Sequence, residues 1–373
     1  MPTVADLVAA LDRISPFRLA EDWDNVGLLV GRRDATVARA MLAIDATPAV
    51  IAEAAEARCE AIVAYHPPVF RPLKRLSDET PAQRVALELA SRGIAAISPH
   101  TALDAAPGGL NDWLADGLGP GDRKALVPAA ALPASEEVKI VTFCPPEATE
   151  RIRDGLAATG AGRIGGYERC SFEIPGTGTF FGGESTQPAV GGRGRLERVA
   201  ETRLEMVCSR RALPLAIEAL RRFHPYEEPP VEIHPLEPRP LRTSGGGRRL
   251  TLDRPLAIDE IAARLKRHFG VTAVSIALPD GAAAEHGTIG FCAGAGEGLL
   301  DAAIAEGCTL FVTGEMRHHE VLSALARGCG VLLAGHTNTE RGYLPILAER
   351  LRNEVTGLDA VISRLDRDPL RAG

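Results

Sequence analysis

Hydrophobic and polar positions along the chain fall into short apolar runs separated by amphipathic stretches. Ala40 to Ile44 is apolar throughout, Thr47-Pro48 supplies a helix N-cap and first helical residue, and the helical stretch lasts to about Arg58. A second apolar run, Ala61 to Tyr65, follows. Thr80-Pro81 opens another helix, Gly93 ends it, and Ile94 to Ser98 gives a third strand. Parallel strands joined by helices imply right-handed crossovers.

The same order returns near the C-terminus. Strand Thr288 to Cys292 leads into a Gly-rich turn and helix, then strand Thr309 to Val312, a helix around Glu320 to Arg327, and strand Val331 to Ala334. The first β-α-β-α-β run ends in His100-Thr101-Ala102-Leu103-Asp104 and the second in His336-Thr337-Asn338-Thr339-Glu340. A shared His-Thr-x-x-acid ending is the mark of a divergent internal duplication.

Between the halves, "LVPAAALPASEE" (Leu126 to Glu137) and "LEPRPLRTSGGGRR" (Leu236 to Arg249) have the Pro-, Ala-, Gly- and Arg-rich composition of linkers. They enclose a strand (Val138 to Phe143), a helix (Glu147 to Ala158), a Gly-rich hairpin region (Gly165 to Gly194), a strand (Arg203 to Cys208), a helix (Leu213 to Phe223) and a last strand (Pro230 to Ile233). The expected fold class is α/β: two related α/β halves form one discontinuous domain, residues 1–125 and 250–373, with an inserted ferredoxin-like α+β domain over 137–236.

Composition narrows the function. No apolar run approaches the roughly 18 residues of a membrane span, and the N-terminus lacks a signal-peptide pattern, so a cytoplasmic protein without membrane partners is expected. Seven cysteines without a CxxC pair suit reduced thiols rather than a disulfide framework or thiolate metal site. A net charge of −7 and 4% aromatic residues disfavour nucleic acid as a partner and leave a small molecule, a metal or another copy of the chain.

In open α/β sheets ligands collect beyond the carboxyl ends of strands. Four such ends carry chemistry: Tyr65-His66, His100 with Asp104, Glu315, and His336 with Glu340. Each His-x-x-x-acid pair would share one face of a helical turn, and Pro67-Pro68 would hold the chain extended behind His66 and aim its imidazole. Imidazole plus carboxylate without thiolate suits zinc, manganese, iron or cobalt, with one or two ions per chain.

Several ordered motifs carry a family resemblance: "LAEDWDNVGLLVG", "YHPPVF", "SPHTALDAAPGGLNDWLA", "TGEMRHHE" and "AGHTNTE". They resemble the signatures of the Nif-three-like family, whose members are often labelled GTP cyclohydrolase I type 2 homologs. The insert motifs "GRIGGYERCSF", "GTGTFF" and "HPYEEP" are similar to the nitrogen-regulatory or copper-tolerance-like module of its longer members. The resemblance implies a dinuclear metal centre and a hollow homohexamer. It also implies that His66, Asp104 and Glu340 hold one ion while His336 and the shared Glu340 hold the other. Where many members have two consecutive histidines this chain has Tyr65-His66, so the second ion loses an imidazole. The alternatives are compensation by His100, weak binding of one ion, or a Tyr65 that donates to substrate or simply packs.

Two activities compete on this reading. One is a metal-dependent hydrolase of cyclohydrolase or amidohydrolase type, acting on a small nucleotide-like substrate through metal-bound hydroxide. The other is a non-catalytic, metal-stabilised oligomeric scaffold or regulatory assembly. Glu315 is expected either as an acid or base near the metals or as a helix-capping carboxylate. Of His318 and His319, one is expected in solvent and the other lining the pocket. Asp24 and Asn25 are expected to order a turn and Trp23 to fill a core, with a substrate role as the alternative. "CAGAGEG" (Cys292 to Gly298) lacks the third glycine of a dinucleotide fingerprint, though the following helix N-terminus could hold a phosphate. "HPYEEP" is expected as a turn with a solvated acidic rim.

Overall fold

The structure is a computed structural model describing residues 1–370, and the chain divides into two compact units, Met1–Ala129 with Leu241–Gly373, and Ala130–Pro240. The first half of the larger unit runs α1 (Val4–Ile14), β1 (Gly27–Val30), β2 (Arg39–Ala43), α2 (Pro48–Glu56), β3 (Ala61–Ala64), α3 (Pro81–Arg92), β4 (Ala95–Ser98), α4 (His100–Ala105), α5 (Leu110–Asp116), β5 (Gly121–Lys124) and β6 (Val127–Ala131). The intervening unit holds β7 (Val138–Cys144), α6 (Thr149–Ala158), β8 (Phe172–Phe181), β9 (Leu196–Cys208), α7 (Leu213–Phe223) and β10 (Val231–Pro235). Strand β11 (Arg239–Gly246) then leads into β12 (Arg248–Ala257), α8 (Ile258–Phe269), β13 (Ser275–Ala277), β14 (Glu285–Ala295), α9 (Leu300–Ala305), β15 (Leu310–Glu315), α10 (His318–Ala326), β16 (Gly330–Leu333), α11 (Leu344–Glu354) and β17 (Asp359–Ile362).

The fold is mixed α/β with several sheets. In the larger unit one sheet has the order β1-β4-β3-β2-β17, and β2, β3 and β4 are parallel neighbours. The other has the order β13-β16-β15-β14-β12-β5, with β14, β15 and β16 parallel. Each parallel trio carries an antiparallel edge strand beside its third member, β1 on β4 and β13 on β16. The two sheets therefore correspond over four strands each, as well as in the loop motifs. The correspondence breaks at the opposite edge, where β17 joins β2 in parallel and β12 joins β14 antiparallel.

Both faces of these strands are covered, which is why they read as unbroken apolar runs rather than alternating ones. Leu42, Val63 and Ile97 of the first sheet and Ile289, Phe291 and Val312 of the second belong to one core with α1, α5, α8 and α11. On the far face of the first sheet, Met41, Ile62 and Ala96 pack on Val50, Ile51 and Ala54 of α2 and Leu89 of α3. On the far face of the second, Phe311 and Val331 pack with Leu300 of α9 and Ala324 of α10. Helix ends follow their local chemistry: Thr47 and Thr80 cap α2 and α3 through their hydroxyls, each with proline at the first turn, and Gly93 ends α3 at φ 69°.

The smaller unit has an antiparallel sheet of order β10-β7-β9-β8, with α6 and α7 packed in its core. Its hairpin is longer than the pattern suggested, because β9 starts at Leu196 and pairs with β8 over ten residues. Pro175, Gly176 and Gly178 hide the strand character of β8, whose side chains lie mostly in solvent. Neither expected linker is plain coil: β6 and β11 arise within them and pair as a two-stranded ribbon.

Candidate metal centre

The Tyr65 and His66 amides donate to the Ala43 and Ile44 carbonyls, extending the β2–β3 pairing one step past β3. That fixes the backbone of His66, and the two prolines behind it prevent helical continuation. Its imidazole is aimed by Asp45, whose Oδ1 lies 3.0 Å from Nδ1. Sequence reasoning missed Asp45. The signal was present, because Asp45 lies two residues beyond β2, at the same sheet edge as His66.

The second half delivers His336 and Glu340. The Ala334 and Gly335 amides donate to the Thr313 and Gly314 carbonyls, prolonging β16 beside β15, and a 3₁₀ turn over Thr337–Thr339 replaces the expected helical turn. The tighter turn still brings the pair together: His336 Nε2 lies 3.3 Å from Glu340 Oε1, and Glu315 Oε1 lies 3.0 Å from His336 Nδ1. Glu315 thus sits behind the imidazole rather than capping a helix. Two glycines make room. A Cβ on Gly294 (φ +60°) would lie 2.8 Å from Glu340 Oε1 and 3.1 Å from His336 Nε2, and one on Gly314 would lie 2.7 Å from the Gly294 carbonyl oxygen. This is the role of "CAGAGEG". The helix after it has six residues behind a 3₁₀ turn and offers no extended phosphate cradle.

His66 Nε2 approaches the same Glu340 oxygen, at 3.6 Å, and the two imidazole centroids are 5.5 Å apart. One ligand atom from each of His66, His336 and Glu340 falls within 4.8 Å of the others, a spacing a single cation can span. Glu340 is 2% exposed, and its Oε2 has no hydrogen-bond partner among the described residues. Such an orphan is costly unless a ligand satisfies it. Each imidazole has a carboxylate on Nδ1, an arrangement that fixes the tautomer and points Nε2 at an ion.

Electrostatics match the geometry. Burial works against charge on His66, but Asp45 and Glu340 outweigh it and raise its pKa to about 10. The Glu340 hydrogen bond leads in raising His336 to about 9, burial opposing. For Glu340 burial is the largest influence and raises the pKa, yet the two histidines hold it below the ordinary glutamate value. Asp45 is likewise held low, chiefly by the His66 hydrogen bond.

The remaining sequence-predicted residues lie beside this trio without joining it. Tyr65 is buried, and its hydroxyl donates to Asp104 Oδ1 at 2.7 Å. Burial, with Asp104 and Glu340 nearby, pushes the phenol pKa well above 10, while burial raises Asp104 to about 6. The Tyr65 phenol therefore engages one of the two carboxylate oxygens of Asp104, the residue that the resemblance counts among the ligands. His100 and Asp104 do not pair. The His100 ring instead has Nδ1 2.8 Å from Asp24 Oδ1, and its centroid is 5.5 Å from that of His66. His100 also has φ +27°, an uncommon conformation for a residue with a side chain.

Other expectations are corrected. His318 and His319 are both exposed, so neither lines a pocket. Trp23 fills no core, being 61% exposed. Asp24 does more than order a turn: it accepts from the Asn25 amide and from the amide and hydroxyl of Thr101 as well as facing His100. In the smaller unit His224 is buried with Nε2 3.1 Å from the Phe143 carbonyl, so "HPYEEP" is less solvated than expected. Glu227 and Glu228 line a cleft of about 500 Å³ together with Phe143, Phe180 and Tyr226.

Comparison with known proteins places this geometry in context. A family model described as Duf34/NIF3 (NGG1p interacting factor 3) matches residues 2–369. A Halalkalibacterium halodurans protein named GTP cyclohydrolase 1 type 2 homolog is 31% identical over 97% of this chain and 97% of its own length. Bos taurus NIF3-like protein 1 is 32% identical over 98% of this chain and 91% of its own. The solved structure of a Bacillus cereus protein related to NIF3 superposes with a TM-score of 0.70 at 28% identity, covering 100% of this chain and 99% of that one.

Proposed function

The chain belongs to the Duf34/NIF3 family, and from that premise we propose that it is a divalent-metal-binding hydrolase with His66, His336 and Glu340 as its ligands. The observation that carries this reading is the buried Glu340 carboxylate, which faces two Nε2 atoms and has an unpartnered oxygen. Imidazole and carboxylate suit zinc, with manganese, iron or cobalt as substitutes. An ion bound there supplies Lewis acidity and acidifies water near neutral pH. Asp45 and Glu315 hold the imidazoles in register, and His100, oriented by Asp24, stands ready to exchange a proton with a bound molecule. The reaction class is hydrolysis of a C–N or related bond in a small, nucleotide-like substrate, in keeping with the cyclohydrolase-homolog name of relatives. We assign the centre one tightly held ion per chain, since Tyr65 engages Asp104.

The test is turnover over a panel of nucleotides and cyclic amides, using protein purified with its native metal. Hydrolysis that His336→Ala abolishes is expected, and no turnover sensitive to that change overturns the reading.

One observation favours a second reading. His66 follows β3 of one sheet while His336 and Glu340 follow β16 of the other, so an ion would tie the two halves together and could act as a structural staple. On that reading chelation lowers the melting temperature or breaks the oligomer. The β-α-β-β-α-β order of the smaller unit supports a ferredoxin-like insert, and we assign the whole chain to a homohexamer in the cytoplasm, where its seven free cysteines suit a reducing milieu.

A further inference from the structure

We propose that Trp23 and Phe70 form an aryl platform beside the metal centre, which takes a planar heteroaromatic ring of the substrate and presents its edge to His100. The proposal deepens the hydrolase reading by naming the substrate class of the same site. Five rings follow one another from the surface to the candidate ligands. Successive centroids are 6.0 Å apart from Phe70 to Trp23, 6.1 Å from Trp23 to His100, and 5.5 Å on to His66 and again to His336. The outer two are open, Trp23 at 61% and Phe70 at 43% exposed. Their planes are inclined at 51°, so a flat ring stacks on one of them and meets the other obliquely.

The platform is held in place rather than loosely attached. The Asp24 carboxylate next to Trp23 is 0% exposed and binds His100 Nδ1 together with the amide and hydroxyl of Thr101. Glu21, at the start of the same turn, donates its amide to the Thr101 hydroxyl. Asn25, at its end, donates from its side chain to the Val69 carbonyl, one residue before Phe70. One buried carboxylate thus orients the imidazole and fixes the turn that carries the indole. Asp24 engages His100 through Nδ1, so Nε2 is the ring nitrogen that this carboxylate does not occupy. A rigidly tethered tryptophan left in solvent forgoes the stabilisation of burying a large apolar ring, and stacking on a flat ligand recovers it.

Tryptophan emission can report the contact, because the chain has two tryptophans and the second, Trp113, is only 7% exposed. Guanosine, cytidine and pterin are titrated onto the full-length protein, metal-replete and chelator-treated, with ribose as the non-aromatic control. Affinities are read in parallel by calorimetry. At least one ring compound is expected to quench emission saturably while ribose does not, and its affinity should fall about tenfold in Trp23→Leu and in Phe70→Ala. The platform is overturned if none of the three binds, if affinity is unchanged in both variants, or if acrylamide cannot reach Trp23 because a second copy covers it. Ring binding without hydrolysis counts against the hydrolase reading alone. Turnover lost in His336→Ala but indifferent to Trp23→Leu and Phe70→Ala counts against the platform alone.

Discussion

Asp45, His66, Glu340, His336 and Glu315 form a row in which acids and imidazoles alternate, with spacings of 3.0, 3.6, 3.3 and 3.0 Å. Without metal, His66 (about 10) and His336 (about 9) both carry protons at neutral pH, so a divalent cation would replace two protons at constant charge. Two consequences follow from the sign of these shifts. Zinc binding should release up to two protons near pH 7, and affinity should climb with pH until about 9 to 10. This can be read by titration in weakly buffered solution. For the metal-free fold, both pKa values lie above the unfolded value near 6.5. Their stabilisation is therefore complete below pH 6.5 and lost as pH rises through 9 to 10, seen as a falling melting temperature. Asp45→Asn should weaken metal binding about 10- to 100-fold while the fold persists, measured by competition with a chromogenic chelator. His66, His336 and Glu340 were legible as strand-end residues of ligand type. Asp45 was not legible as a partner because His66 follows the next strand, 21 residues away, and the Tyr65–Asp104 bond was not because spacing along the chain says nothing of contacts across 39 residues.

At the scale of elements, short apolar runs and Thr-Pro helix starts made the two parallel trios readable, since burial on both faces leaves a run unbroken. The connections were less legible because glycine, proline and arginine look like coil wherever they stand. In "LEPRPLRTSGGGRR" Arg248 is 0% exposed. It pairs with Asp112 and donates to the carbonyls of Ala105, Ala106, Thr243, Gly245 and Gly247, so that β12 holds the end of α4, the helix bearing His100 and Asp104. Arg248→Met leaves these acceptors unpaired and should cost about 3–5 kcal/mol in urea denaturation. Gly294 is the counterpart beside His336 and Glu340. Gly294→Ala combines a left-handed backbone with a Cβ against Glu340 and His336. It should cost about 1–2 kcal/mol of stability and lower metal affinity by tenfold or more, read by melting and by metal competition.

For the molecule as a whole, the arrangement puts the proposed ligands on two sheets that share a single core, β3 leading to His66 and β16 to His336 and Glu340. Binding then couples directly to the stability of the larger unit. At metal concentrations 100-fold above Kd the stabilisation is about 2.7 kcal/mol, and chelation should remove it as a drop in melting temperature. None of the described helices is long and apolar enough to cross a membrane. The convergence of His66 with His336 is tested most directly by counting metal equivalents per chain in protein purified with neither added metal nor chelator, alongside Glu340→Gln. The account predicts close to one equivalent in the wild type and a loss of nearly all of it in the variant. No metal in the wild type, or an undiminished equivalent in Glu340→Gln, would contradict it.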